Sequence, residues 1–180
     1  MKIFVVVVLL AASTGFASDK LAAPHHSITN PAFHYTALSC HQGKTKDEVV
    51  GLVNAAAEYL KKNGKEAAFK EFNKTDGQFT RGASYIAAVD YSGVHLATGN
   101  PHRRNLNGVN ILASRDDDGT YMVKEQIAKA NAGGGWTRFK LQNHVSNKLE
   151  CKHMYVMPVL TDMYIGSGYY YPPNANGKCE

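Results

Sequence analysis

Apolar residues recur with a helical period after residue 45 and with a period of two after residue 83. The first pattern predicts an amphipathic helix, and its apolar members are Val49, Leu52, Val53, Ala56, Tyr59 and Leu60. Thr45 and Glu48 have the spacing of a capping box at its start. The helix is expected to end near Asn63-Gly64, where glycine supplies a left-handed cap, and a second short helix is predicted over 65–72.

The period of two predicts five strands. Residues 83–91 and 94–98 form a hairpin around the turn Asp90-Tyr91-Ser92-Gly93, and three more strands are predicted over 136–141, 152–159 and 163–171. Residues 99–135, called the cover segment below, connect the hairpin to the last three strands and contain a predicted helix over 121–130. This order predicts an α+β domain, in which the long N-terminal helix packs on one face of an antiparallel five-stranded sheet.

The first residues have the features of a secretory signal peptide over 1–17. A lysine precedes the ten apolar residues Ile3 to Ala12, and the small residues Gly15 and Ala17 follow. Ten to twelve apolar residues are too few to cross a ~30 Å hydrocarbon core, which needs about 20. The mature protein is therefore expected to be soluble and periplasmic or secreted, with an irregular leader over 18–44, a domain over 45–172 and a polar tail over 173–180.

Charge and motifs argue against several classes of function. The formal net charge is +5 over 180 residues, and the basic residues are scattered rather than gathered into a stripe, so no nucleic acid is expected as a partner. The chain has no phosphate-binding loop, dinucleotide fingerprint, nucleophile elbow or zinc spacing, so no catalytic residue, cofactor or metal is predicted. Three cysteines, Cys40, Cys151 and Cys179, allow at most one intramolecular disulfide.

Several short blocks follow one another in the order of a known family. They are Tyr59 to Gly64, Phe72-Asn73, Tyr85 to Asp90, Gly93, Asn100-Pro101, Leu106-x-Gly108-x-Asn110, Asp118-Gly119, Gly134-Gly135-Trp136, Tyr155-Val156, Asp162, Tyr164-Ile165-Gly166 and Gly168. Together they resemble the single Cache domain (type 2) of bacterial extracellular sensors, over most of the mature chain. The resemblance implies a PAS-like curved sheet, a small pocket under the cover segment and no catalysis.

The resemblance also implies a ligand and a role. The ligand would be a small organic molecule, carboxylate or amino-acid-like, bound for sensing or signalling, with a membrane-bound receptor or kinase as a possible partner. The family commonly has Ala-His-Pro after the hairpin, where this chain has Gly99-Asn100-Pro101 and then extra residues around Arg103. Receptors of the family continue into a membrane helix, so this chain is expected to be a free-standing exported domain without membrane insertion. The alternatives are an envelope protein-interaction module that uses the strand Tyr164 to Tyr171, or an exported enzyme of an unrecognised class.

Five residues are candidates for ligand binding: Tyr85, Arg103, Trp136, Lys152 and Tyr155. Strand positions and the cover segment place them near the expected pocket, and an arginine suits bidentate contact with a carboxylate. Ordinary roles compete with this one, since such aromatics often belong to a core and such cations to the solvated surface. Lys152 and Tyr155 are three apart on one strand, so they should face opposite sides of the sheet unless a bulge intervenes.

The resemblance also suggests a disulfide. Both ends of the domain approach the membrane in the resembled receptors, and Cys40 and Cys179 lie just outside those ends, so a Cys40–Cys179 bond is expected. The alternative is Cys151–Cys179, because the fourth and fifth strands form a hairpin and Cys151 lies at the same end.

Overall fold

The computed structural model describes residues 45–180. The predicted signal peptide, the leader and Cys40 lie outside the described residues. Within residues 45–180, none of the helices combines the length and the apolar character that a membrane crossing needs.

The first helix, α1 (Lys46–Phe72), begins with the predicted capping box. The Glu48 amide donates to Thr45 Oγ1 at 3.3 Å, and the Thr45 amide donates to Glu48 Oε2 at 2.9 Å. Gly64 leaves the helical conformation, with φ 78° and ψ 169°, which glycine adopts without steric cost. The predicted break at Asn63-Gly64 is therefore a kink within α1, and the segment over 65–72 continues beyond it.

Seven strands follow, five of which form the main sheet. The strands are β1 (Thr80–Arg81), β2 (Ser84–Tyr85), β3 (Ala87–Asp90), β4 (His95–Thr98), β5 (Gly135–Gln142), β6 (Leu149–Leu160) and β7 (Met163–Tyr171). The main sheet is antiparallel throughout, in the order β4-β3-β7-β6-β5. Between β4 and β5 the cover segment contains a short 3-10 helix (Pro101–Leu106) and α2 (Met122–Asn131).

The prediction of one strand over 83–91 is wrong in its first part. Residues 84–85 pair with 80–81 in a separate two-stranded hairpin, and pairing with the main sheet begins at Ala87. The reason is a tight turn at Gly82, whose φ of 59° lets the chain fold back on itself. Tyr85 therefore reaches the main sheet from a hairpin beside it.

The two faces of the main sheet are covered by different elements. On the helix-side face, α1 packs against an apolar core that includes Leu60, Phe72, Ile86 and Ile165. On the cavity-side face, α2 and the rest of the cover segment pack against a second cluster that includes Val89, Phe139 and Met154. The predicted α+β architecture, with a long N-terminal helix on one face of a five-stranded antiparallel sheet, is confirmed.

The predicted Cys40–Cys179 disulfide is wrong, because Cys179 is bonded to Cys151, with the two Cα atoms 5.4 Å apart. Cys151 lies opposite Tyr171 in the β6–β7 register, at the point where the last strand ends. A turn over 174–178, in which the Asn174 amide donates to the Lys178 carbonyl and the Gly177 amide donates to the Asn174 carbonyl, brings the tail back to that point. The bond is therefore the alternative pairing, Cys151–Cys179, and the local turn explains it. The prediction from membrane receptors used only the proximity of the two ends of the domain.

Candidate ligand-binding site

A cavity of about 50 Å³ lies between the sheet and the cover segment. Most of its wall is apolar, and the main contributors are Val89, Ile111, Met122, Val123, Phe139 and Met154. A smaller set of polar side chains shares the wall: Tyr85, His95, Thr98, Arg103, Gln126 and Lys152. An apolar enclosure with a few polar groups is typical of a small-molecule site.

Strand pairing explains why Lys152 belongs to this wall. Lys152 lies directly opposite Phe139 on β5 and opposite Tyr170 on β7, so the three side chains share the cavity-side face. Tyr85 reaches the same place from β2, and its ring centroid is 3.8 Å from Lys152 Nζ. The ring of Tyr170 lies 4.7 Å from the same nitrogen.

Lys152 is a buried amine without a carboxylate partner. Only 2% of it is exposed, and its Nζ donates to the Tyr170 hydroxyl at the long distance of 3.5 Å. Among residues 45–180, every ion pair within 4 Å involves other residues. Burial lowers the pKa of the Lys152 amine, Tyr85 opposes this shift, and the positive charge of Arg103 adds to it.

The Tyr85 hydroxyl connects Lys152 to the start of the 3-10 helix. Asn100, 1% exposed, donates from Nδ2 to the Tyr85 hydroxyl at 3.1 Å, and its Oδ1 accepts from the His102 amide at 2.9 Å. The hydroxyl oxygens of Tyr85 and Tyr170 are 3.4 Å apart. Asn100, at the position where the sequence departs from the common family pattern, thus holds a cavity hydroxyl and caps the 3-10 helix.

Arg103 supplies a second positive charge to the cavity. It is half-buried in the 3-10 helix and lines the cavity, and within the described part of the chain it forms no ion pair. On the opposite wall, Gln126 Oε1 accepts from the Tyr164 hydroxyl at 3.1 Å, which leaves the amide nitrogen to donate. The cavity wall therefore contains two basic side chains and several hydrogen-bond donors, and its lining includes no acidic residue.

A family model decides what kind of domain this is. The model for "Single Cache domain 2" matches residues 46–172. The chain belongs to the single Cache domain family. No curated protein sequence matches it.

Three solved structures are similar to this chain in fold. A methyl-accepting chemotaxis protein from Vibrio parahaemolyticus is 21% identical with a TM-score of 0.60, and the match covers 69% of this chain and 87% of that one. A Cache chemosensory domain described for carboxylic acid recognition is 19% identical with a TM-score of 0.56, covering 69% and 91%. The periplasmic sensor domain of a chemotaxis protein is 18% identical with a TM-score of 0.52, covering 69% and 88%. At these identities the likeness shows the fold.

Three of the five candidate residues line the cavity of this Cache domain, namely Tyr85, Arg103 and Lys152. Trp136 and Tyr155 do not line it, so the prediction that they lie beside the cavity is wrong. They lie opposite each other in the β5–β6 register, one step out of phase with Lys152 and Phe139. Both therefore face the helix side of the sheet. The prediction that Lys152 and Tyr155 lie on opposite faces is confirmed.

Trp136 belongs instead to an aromatic cluster on the helix-side face. Its ring centroid is 4.4 Å from that of His153 and 5.4 Å from that of Tyr155. Lys46 Nζ, at the start of α1, lies 5.8 Å from the Trp136 ring. The indole thus packs beside α1, with the whole thickness of the sheet between it and the cavity of the Cache domain.

Three residues that the sequence did not predict also belong to the site: Tyr170, Gln126 and His95. Tyr170 lies in the tyrosine-rich strand that the sequence displays, but only the β6–β7 register shows that it faces Lys152. Gln126 sits on the buried side of α2, where a polar residue among apolar ones is a signal for a buried hydrogen bond. His95 is 3% exposed, and its Nδ1 is 2.9 Å from Asn107 Oδ1.

The acidic residues Asp116 to Asp118 form a turn that precedes α2. Asp116 Oδ1 accepts from the amides of Asp118 and Thr120, and its Oδ2 accepts from the Lys140 amide on the edge of β5. Asp118 pairs with Lys140 and Lys178. Over residues 45–180, no three His, Cys, Asp or Glu side chains are grouped so that they could hold a metal ion.

Proposed function

We propose that this Cache domain binds a small monocarboxylate in its cavity as the input to a sensing process. One observation carries the proposal: Arg103 and Lys152 are two basic side chains without carboxylate partners among the described residues, and they meet at a cavity whose other walls are mainly apolar. Buried charges in proteins are normally paired. A bound carboxylate would supply the missing negative charge.

The polar groups suit a carboxylate head and the apolar wall suits a short hydrocarbon tail. An arginine guanidinium forms two parallel hydrogen bonds with a carboxylate, and an ammonium adds a second charge-assisted bond. The Tyr85 ring lies against Lys152, with its centroid 3.8 Å from Nζ. Phe139 and Met154 would contact the tail, since both belong to the cavity wall.

The size and charge of the cavity narrow the ligand class. A volume of about 50 Å³ has room for roughly four water-sized groups at 10–15 Å³ each, which is the scale of acetate or propionate. An amino acid would also need an acceptor for its ammonium group, and the lining includes no carboxylate. A neighbour in fold is described for carboxylic acid recognition, which supports the same class.

Sensing would operate through the cover segment. Arg103 belongs to the 3-10 helix of that segment and Lys152 to β6 of the sheet, so one carboxylate bound to both would favour a closed cover segment. A fold neighbour is described as a periplasmic sensor domain, which supports an extracytoplasmic location. Export by the signal peptide, a free-standing state and a membrane-bound receptor or kinase as partner stay predictions.

A thermal-shift comparison tests this function. Acetate and propionate should raise the melting temperature, because a ligand at 100 times its dissociation constant increases the free energy of unfolding by about 2.7 kcal/mol. Ethylamine and glycine should leave the melting temperature unchanged. Arg103→Ala should abolish the shift. Arg138→Ala is the matched control, because Arg138 is exposed on the helix-side face of β5.

Two outcomes would contradict the proposal. One is the absence of a shift with every short monocarboxylate at concentrations that saturate known acid-binding sites. The other is an unchanged propionate response in Arg103→Ala, which would place the ligand elsewhere on the protein.

A further inference from the structure

A positive charge on Lys152 has no compensating negative charge when no ligand is bound. Lys152 is 2% exposed, its Nζ donates to the Tyr170 hydroxyl at the long distance of 3.5 Å, and no carboxylate from residues 45–180 pairs with it. An isolated buried ammonium is unstable relative to the neutral amine. The empty site is thus most stable without an uncompensated positive charge at Lys152.

We propose that the cavity takes up one proton together with each carboxylate, and that the Lys152–Tyr85 pair holds this proton. The inference rests on the proposed function for its anion. The balance is simple: the carboxylate enters as an anion, the proton comes from solvent, and the pair passes from net neutral to net positive. The site then responds to the product of anion and proton concentrations, which measures the undissociated acid.

The proposal does not depend on which atom of the pair is protonated in the empty state. A neutral amine beside a neutral phenol and an ammonium beside a phenolate carry the same net charge of zero. Lys152 Nζ lies 3.8 Å from the centroid of the Tyr85 ring, so the two groups share one electrostatic environment. A carboxylate next to the pair favours ammonium beside neutral phenol, which contains one proton more than either empty form.

The other titratable groups around Lys152 keep their charge over the neutral and alkaline range. Arg103, from the 3-10 helix, is always protonated. On β7, burial raises the pKa of Tyr170, so it stays a neutral phenol. Burial lowers the pKa of His95 on β4 and of His144 in the β5–β6 loop, so both are neutral imidazoles.

The acidic residue closest to Lys152 along β6 bonds to other groups. The Glu150 carboxylate accepts hydrogen bonds from Asn143 and Ser146 of the β5–β6 loop, and it forms no ion pair with Lys152. From α2, the group on the cavity wall is the neutral amide of Gln126. The Lys152–Tyr85 pair is therefore the group whose protonation a carboxylate would change.

The sign of the pH effect follows from this change. Where the empty pair is neutral and the bound pair is positive, affinity falls about tenfold for each unit that the pH rises. At lower pH, where the empty amine is already protonated, affinity is independent of pH. A site that used Arg103 alone would show constant affinity over the same range.

Calorimetry with propionate measures the proton directly. Titrations at one alkaline pH in two buffers of different ionisation heat should give an uptake close to one proton per propionate. Lys152→Arg keeps a cation that is always protonated, so its uptake should be close to zero; Lys148→Arg, in the exposed β5–β6 loop, should behave like the wild type. Binding of propionate by the wild type with no proton uptake would overturn the inference and leave the proposed function standing, whereas the absence of binding heat at any pH would overturn both.

A second measurement needs no ligand and keeps the inference testable if Lys152→Arg folds poorly. With lysine labelled by ¹³C at Cε and tyrosine at Cζ, the Lys152 and Tyr85 resonances are identified by their loss in Lys152→Met and Tyr85→Phe. In the empty protein one of the two should titrate at lower pH than the solvated residues of its type, and propionate should move that midpoint upward. Lys152 and Tyr85 resonances that both titrate together with those of solvated lysines and tyrosines would overturn the inference.

Discussion

The two faces of the main sheet use the same strands for different purposes. On the helix-side face, alternate residues of β3, β6 and β7 meet α1 in an apolar core whose largest members are fully buried. On the cavity-side face, the intervening residues include a buried lysine and surround an empty volume of about 50 Å³. The helix-side face is thus closely packed against α1, whereas the cavity-side face leaves unfilled space, which the proposed ligand would occupy.

The largest effect is expected on the helix-side face. Phe72 is 1% exposed and packs edge-to-face on Phe79 with centroids 5.2 Å apart, so Phe72→Ala should lower the free energy of unfolding by about 3–5 kcal/mol. Urea unfolding measures this loss. Phe139→Ala, on the cavity wall, should cost less because its ring already borders empty space. Equal losses for the two variants would contradict the contrast between the faces.

The disulfide should stabilise the fold without taking part in binding. Cys151 and Cys179 are 28 residues apart, for which chain entropy gives a contribution of about 3–4 kcal/mol. Reduction should lower the free energy of unfolding, measured by urea denaturation, by that amount. The propionate response should stay intact, since Cys151 faces away from the cavity. Loss of the response in reduced but folded protein would contradict this separation.

Lys152→Met should have opposite effects on stability and on binding. Methionine has a similar shape and no amine, so the empty protein should gain roughly 1–3 kcal/mol, the cost of a buried polar group without a good hydrogen-bond partner, while the carboxylate response is lost. Unfolding with and without propionate tests both parts. A variant that is less stable than the wild type would show that the empty site satisfies this amine.

The gain from Lys152→Met should shrink at alkaline pH. The pKa of Lys152 is lowered in the folded state, whereas the unfolded lysine keeps its proton up to its ordinary value of 10.5. Between the two values the unfolded state binds more protons, so wild-type stability rises with pH. A difference between variant and wild type that stays constant up to the ordinary lysine value would contradict the lowered pKa.

The smallest expected effect is the acid response of the helix-side aromatic cluster. Burial, together with the positive charges of Arg138 and Lys46, lowers the pKa of His153 from 6.5 to about 4. The unfolded histidine binds its proton first, so stability should fall as the pH drops from 6.5 towards 4. His153→Gln should flatten this part of the profile, and Lys148→Gln should not. An unchanged profile in His153→Gln would assign the acid response to other groups.

Local patterns in the sequence predicted what depends on neighbouring residues. The capping box of Thr45 and Glu48 and the kink at Gly64 follow from residue type and spacing alone, and strand alternation placed Lys152 and Tyr155 on opposite faces. Trp136 was misplaced because residues 136–139 read Trp-Thr-Arg-Phe, which has an aromatic residue on each face. No local pattern decides which of the two faces the cavity.

Long-range pairing decided the rest. Tyr170 meets Lys152 only through the β6–β7 register, and the two are 18 residues apart. Cys179 meets Cys151 only because the tail turns back at Asn174. Gly166 is also explained only by the structure, since a Cβ there would lie 2.5 Å from Met154 Cε and 2.7 Å from the Tyr155 carbonyl. Such contacts join residues that are distant in the sequence, so no local pattern predicts them.

A crystal structure of the protein with propionate tests the central claim most directly. The account predicts that the carboxylate lies between the Arg103 guanidinium and Lys152 Nζ, with its tail against Phe139. An empty cavity at saturating propionate, or propionate bound beside Trp136 on the helix-side face, would contradict it.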